Sequence, residues 1–204
     1  MTKWKWFGSG LEACATIAAL VVMSLWPASA IAQDEHSHGI APLHRELTPA
    51  QKQNEAALVQ AVRDATRRFQ NVAAAEAAGY ALHFGCVSGG DFGAMGLHFI
   101  NGPLVADGEL DVARPEIVLY EAQPNGELRL TGADYLVDAA TWNAAHDGPP
   151  QLMGQLFHLF DSPNRFGLSA FYTLHVWAWR ENPNGTFTNW NPDVSCDAFT
   201  GHDR

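Results

Sequence analysis

Between residues 58 and 72, apolar side chains recur at spacings of four and three: Leu58, Val62, Ala65, Phe69 and Val72. That period gathers them on one stripe of a helix. Lys52, Arg63, Arg67 and Arg68 fall off the stripe. Thr48-Pro49 supplies a start: a side-chain oxygen for the unpaired N–H groups of the first turn, then a proline whose missing N–H costs nothing there. The run Val72–Ala78 either continues the helix or restarts as a second short one, and Gly79 fits a C-terminal cap. The segment reads as a docking helix rather than a catalytic one.

After Tyr80 the pattern changes to short apolar runs between turn residues: Leu97–Ile100, Ile117–Ala122, Glu127–Leu130 with Tyr135–Val137, and Phe171–Trp179. These predict strands. Pro124-Asn125-Gly126-Glu127 predicts a type I′ hairpin turn, because Asn-Gly accepts the positive φ angles it needs. Asn182-Pro183-Asn184-Gly185 predicts another turn, and residues 138–150 a loop or short helix around Trp142. Gly85, Gly89, Gly90, Gly93 and Gly96 crowd around Cys86 and read as a loop. It is not a phosphate loop, since no Gly-Lys-Ser/Thr follows. The fold class expected is α+β: an N-terminal amphipathic helix packed on an antiparallel β-sheet or open barrel. No repeat or linker divides residues 48–204, so they form one domain.

The start of the chain has a different texture. Lys3 and Lys5 precede the apolar run at residues 13–26, Pro27 breaks it, and Ala28-Ser29-Ala30 or Ala30-Ile31-Ala32 fits a cleavage site. Residues 1–32 therefore read as a signal peptide, and the mature chain, beginning at Gln33, as a periplasmic or secreted protein. No later run is long and apolar enough to span a bilayer. Residues 33–47 are polar, carry Gly39 and Pro42, and read as a flexible lead-in. Its His36 and His38 form a His-x-His pair that suits a secondary, weaker Cu(II) or Zn(II) site.

The whole chain has 12 basic and 22 acidic side chains. Removing the leader takes away Lys3, Lys5 and Glu12 and leaves ten and 21, a net charge of −11. That balance argues against nucleic acid and against anionic lipid as partners. It does not by itself identify a partner; the partner expected is a metal ion or a small molecule. Cys14 departs with the leader, so Cys86 and Cys196 remain as an even pair in an exported chain and predict a disulfide. Closing a loop of about 110 residues stabilises by roughly 4–5 kcal/mol in the chain-entropy picture.

Chemistry concentrates on a few strand positions. Alternation along Phe171–Trp179 puts Phe171, Thr173, His175, Trp177 and Trp179 on one face. A histidine between large aromatics is either a hydrogen-bonded core residue or a ligand held in a dry pocket. His98 has the same character and lies just past the glycines, where backbone approaches a bound group closely. Glu116 and Glu121 are five apart and face opposite sides of an unbulged strand, so only one joins a given site. Asp134 sits beside Tyr135 in the partner strand. A carboxylate among apolar neighbours needs a partner. That partner is an arginine such as Arg114, Arg129 or Arg165, or a metal shared with His98 and His175. Two histidines and a carboxylate suit Zn, Fe(II), Mn or Cu.

Other chemistries lack their marks. Ser88, Ser169 and Ser195 have no G-x-S-x-G context, and the chain has neither G-x-G-x-x-G nor a haem-attachment C-x-x-C-H. Trp177, Trp179, Trp190, Phe187 and Phe199 read either as packing or as a stacking platform for a ligand.

Taken together, Gly93-Ala94-Met95-Gly96-x-His98-Phe99-x-Asn101, Arg114-Pro115-Glu116-x-x-x-Tyr120-Glu121, Phe171-Tyr172-x-Leu174-His175-Val176-Trp177-Ala178-Trp179 and Trp190-Asn191-Pro192-x-Val194-Ser195-Cys196 resemble a family of secreted bacterial proteins of uncharacterised function. The resemblance covers about residues 65–196 and implies a single fold without an activity. The Met-Gly-x-His and Tyr-Glu elements are distantly similar to small metal-binding β-domains. That likeness implies His98 and Glu121 as ligands, with Asp134 and His175 as further candidates.

Three readings follow. The leading one is an extracytoplasmic metal-binding protein with His98, Glu121 and His175 as core ligands. The second is a metal-dependent enzyme with cupin-like chemistry on the same site, where Glu116, Tyr120 or His158 serves as acid or base. The third is a ligand-binding module without metal that uses the tryptophan-rich face.

Overall fold

The computed structural model describes residues 47–201. The expected leader, nearly all of the lead-in with His36 and His38, and the end of the chain from His202 lie outside the described residues.

Helix α1 (Pro49–Thr66) starts on a capping box. The Gln51 N–H donates to Thr48 Oγ1 at 3.2 Å, and the Thr48 N–H donates to Gln51 Oε1 at 2.9 Å. Leu58, Val62 and Thr66 are its buried positions. The apolar stripe does not continue as one helix. A 3₁₀ turn (Arg67–Gln70) intervenes, and α2 (Val72–Ala77) restarts on Asn71, whose side chain accepts the Ala73 N–H at 3.0 Å. The offset leaves Phe69 buried against the sheet, its own carbonyl accepting the Tyr120 hydroxyl at 2.6 Å.

The strands are β1 (Ala81–Ser88), β2 (Ala94–Ile100), β3 (Ile117–Ala122), β4 (Leu128–Asp138), β5 (Gln151–Leu152), β6 (Gln155–Leu156), β7 (His158–Phe160) and β8 (Phe171–Val176). Helix α3 (Gly102–Asp107) follows β2, and α4 (Ala139–Ala145) follows β4. Six strands form one antiparallel sheet in the order β1-β2-β3-β4-β8-β7, curled into a half-barrel; β5 and β6 pair separately.

Strand alternation gives the sheet two different faces. On one, Ala133, Tyr135, Leu174 and Val176 pack with Leu58 and Val62 of α1. Leu97, Phe99, Val118 and Tyr120 continue this face and pack with Phe69, Ala75 and Tyr80. On the other, Ile100, Ile117, Asp134 and His175 stand in register across β2, β3, β4 and β8. The curl closes around this second face.

Cys86 and Cys196 form the expected disulfide, which ties the C-terminal segment to β1. An antiparallel bridge between Ala94 and Asn191 fastens the same segment to β2. Of the glycines expected in a loop, Gly89, Gly90 and Gly93 lie in the short connection between β1 and β2, whereas Gly85 and Cys86 are in β1 and Gly96 is in β2. The β1–β2 register slips between His83 and Cys86, the mark of a bulge. Phe84 (φ 65°) and Gly85 (φ 70°) occupy the left-handed region there.

The hairpin at residues 123–127 exists, but not as type I′. Gly126 has φ 84° whereas Asn125 does not take a positive φ. The Gly126 N–H donates to Gln123 O and the Gln123 N–H to Glu127 O, each at 2.8 Å. One left-handed glycine closing a type I turn meets the same twist requirement.

Candidate metal centre

His98 of β2, Asp134 of β4 and His175 of β8 each offer one ligand atom within 4.8 Å of the others, and all three are buried. The registers that align Asp134 with His175 and with Ile117 bring the donors together from strands far apart in the chain. His98 stands two residues from Ile100 in the same row and so shares its face.

Each donor is oriented by something behind it. The His98 ring donates through Nδ1 to the Gly96 carbonyl at 3.1 Å, which fixes the proton there and leaves the Nε2 lone pair free. Gly96 is required for this geometry. It has φ 88°, and a Cβ on it would stand 2.5 Å from the Tyr120 carbonyl oxygen. The glycine that sequence spacing linked to a bound group thus serves a close approach of β2 to β3. Asp134 Oδ1 accepts the hydroxyl of buried Thr173, and Oδ2 lies 3.3 Å from His175 Nδ1. That last contact has the distance but not the alignment of a hydrogen bond, so both ring nitrogens of His175 are buried without one among the described residues.

The electrostatics keep His98 and Asp134 in metal-ready states. Burial, and then the neighbouring His175, push His98 from 6.5 down to about 4, so its imidazole is neutral at physiological pH. Burial works to raise the Asp134 carboxyl, but His175, the Thr173 hydroxyl and His98 outweigh it and hold the group below its ordinary value.

The donors sit on the floor of a cavity of about 230 Å³ to which all six strands of the main sheet contribute. Its walls are apolar. Phe84, Ile117, Leu136, Phe160, Phe166 and Phe171 are the main surfaces, with Thr173 beside the donors. Phe160 and Phe171 stack at 5.2 Å, and Phe84 meets Phe166 at 5.5 Å. His83 reaches the same cavity. It is exposed and directly opposite His98 in the β1–β2 register.

No protein-family model, no curated protein and no solved structure matches this chain. The case for its function therefore rests on the site itself.

Of the four strand residues singled out as ligands, the fold brings together His98, Asp134 and His175. Glu121 stands apart. It lies four residues beyond Ile117 on β3. At the rise of an extended strand, that is roughly 13 Å along the chain. Its carboxylate pairs with Arg129, its register partner, and accepts the Ser195 N–H at 3.4 Å. Asp134, conversely, takes no arginine among the described residues.

Glu116 is buried, accepts the Leu136 N–H at 3.1 Å, and does not line the cavity; burial pushes it up to about 8. The Tyr120 hydroxyl is on the helix side of the sheet, and His158 is exposed at the sheet edge. The acid–base candidate that faces the cavity is His83, which sequence reading passed over because β1 looked like a loop.

The aromatic face expected along Phe171–Trp179 stops short, because β8 ends at Val176. Phe171, Thr173 and His175 line the cavity, whereas Trp177 enters the helix-side core. The indole N–H of Trp177 donates to the Thr188 carbonyl at 2.6 Å and that of Trp179 to Thr66 Oγ1 at 2.9 Å.

Proposed function

We propose that this chain is an extracytoplasmic metal-binding protein whose His98, Asp134 and His175 hold one divalent transition metal. The observation that carries the reading is His175: two buried ring nitrogens without hydrogen-bond partners among the described residues, beside a second imidazole and a carboxylate. Leaving such groups dry and unpaired is costly, and a cation shared by the three removes the cost. Two histidines and a carboxylate suit Zn, Fe(II), Mn or Cu. The Gly96 and Thr173 contacts are the outer-sphere supports such ligands ordinarily have. Export is part of the proposal, supported by the leader pattern and by a disulfide compatible with an oxidising compartment. No helix of the described residues is long and apolar enough to cross a membrane.

The test is elemental analysis of tag-free protein. The expected result is one equivalent of metal, falling well below one in His98→Ala and in His175→Ala and unchanged in His158→Ala. Full occupancy in both cavity variants sinks the reading.

The cavity favours a second reading, metal-dependent catalysis. Three ligands on one side leave coordination positions open toward the cavity, the arrangement a catalytic metal needs. Azide added to the cobalt-substituted protein should perturb its visible bands. A spectrum insensitive to azide means a closed site and excludes this second reading.

A further inference from the structure

Resting on that metal assignment, we infer that the cavity above the three donors binds a small monoanionic ligand: an oxygen donor directed at the metal, carried on an apolar ring or short branched chain.

Four observations meet in this assignment. Apart from exposed His83 at the rim, polarity is confined to the floor. His98, Asp134, Thr173 and His175 form the floor, and the walls above are phenylalanine and aliphatic side chains. Second, among the described residues neither lysine nor arginine lines the cavity, so no permanent cation other than the metal is there to meet a second charge on the ligand. Third, a divalent ion held by one carboxylate and two neutral imidazoles has one positive charge in excess, which one carboxylate or phenolate on the ligand balances. Fourth, the size fits. An apolar cavity of about 150 Å³ takes a benzene ring. This one, at about 230 Å³, has room for a ring and one donor group.

The walls are also built for an aromatic guest. Phe84 is held at φ 65°, which a side-chain-bearing residue seldom adopts. The bulge that imposes this angle turns the ring to the cavity against Phe166. Phe160 lies 6.3 Å from Phe166, and Phe171 lies 5.2 Å from the first and 6.2 Å from the second. Aromatic faces and edges thus surround the ligand's apolar part. Exposed His83 marks the open side through which it enters.

The experiment uses full-length processed protein loaded with Co(II), titrated separately with benzoate, acetate and toluene while the visible bands are followed. Benzoate should perturb the bands and bind about tenfold to a hundredfold more tightly than acetate, since each buried methylene-sized group contributes several-fold. Toluene, with a ring but no donor, should leave the bands in place while competing with benzoate. Leu136→Trp and, independently, the loop variant Leu168→Trp fill the cavity and should abolish the benzoate response while keeping one equivalent of cobalt. Cobalt uptake with benzoate no tighter than acetate overturns this inference and leaves the metal assignment standing. Failure to take up cobalt at all overturns both.

Discussion

Asp134 and His175 stand directly opposite one another across β4 and β8, with Oδ2 and Nδ1 3.3 Å apart and out of hydrogen-bonding alignment. Two groups this close, this buried and this poorly joined are held by the sheet rather than by each other. Asp134→Asn keeps the shape and removes the charge. It should lower metal affinity by about a hundredfold or more while the fold persists. Cobalt or zinc titration of the variant, with circular dichroism as a fold control, measures this. Affinity within a few-fold of the parent would show that Asp134 is not a ligand.

Glu121→Gln is the complementary case. Its carboxylate faces Arg129, whose side chain is 43 % exposed. The substitution should leave metal stoichiometry at one and cost about 1 kcal/mol or less, because a half-exposed arginine gives a screened pair. Metal content and the urea midpoint measured on one preparation separate the two effects. Loss of metal in this variant would return Glu121 to the site.

The pH dependence of the metal-free protein follows from two buried groups of opposite sign. His98 is depressed from 6.5 to about 4. Between those values the unfolded chain binds a proton that the folded one does not, so stability falls as pH falls. Glu116 is raised from 4.5 to about 8. Between those values the folded chain holds the extra proton, so stability falls as pH rises. From about 4.5 to 6.5 the two slopes oppose each other and the profile is nearly flat. From 6.5 to about 8 only the Glu116 slope remains. A full one-proton difference corresponds to about 1.4 kcal/mol per pH unit, the limit this slope approaches. Denaturant midpoints across this range should show the plateau and the decline. In Glu116→Gln the decline above 6.5 should vanish and a rise should replace the plateau. A decline that persists in that variant assigns it to another group.

Gly96→Ala tests the support behind His98. The added Cβ meets the Tyr120 carbonyl at 2.5 Å, and the φ of 88° is strained for alanine. Gly126→Ala adds a Cβ that meets nothing, at φ 84°. The second variant should cost about 1 kcal/mol from backbone strain. The first should cost more and also weaken metal binding. Equal losses in the two, with metal retained, would mean that the β2–β3 approach does not position the ligand.

The class of fold was legible in the sequence because its signals were local. The Thr48-Pro49 start, the stripe of Leu58 and Val62, a strand beginning at Phe171 and the cysteine pair left after the leader each work within a few residues or by count. Two histidines stood out for the same reason, since a polar ring inside an apolar strand is conspicuous. Choosing the carboxylate was different. Asp134 and Glu121 look alike in sequence, and what separates them is register, which also sets Glu121 against Arg129. A bulge in β4, opposite Leu119 and Tyr120 of β3, shifts that pairing, and no short window of residues reports it. His83 was hidden by its company. Phe84 and Gly85 form a bulge, and the surrounding glycines imitate a loop.

The three donors come from β2, β4 and β8, dozens of residues apart, and the face they occupy is opposite the one that packs on α1 and α2. The order of events in the life of the molecule follows. While the sheet is incomplete, the ligands of this site are single imidazoles and a lone aspartate, no better than those of an unstructured peptide. The core needs no ion to form, because its apolar clusters lie on the other side. The chain should therefore fold empty and fill afterwards, so that refolding speed is indifferent to chelators while the final melting temperature rises with metal concentration.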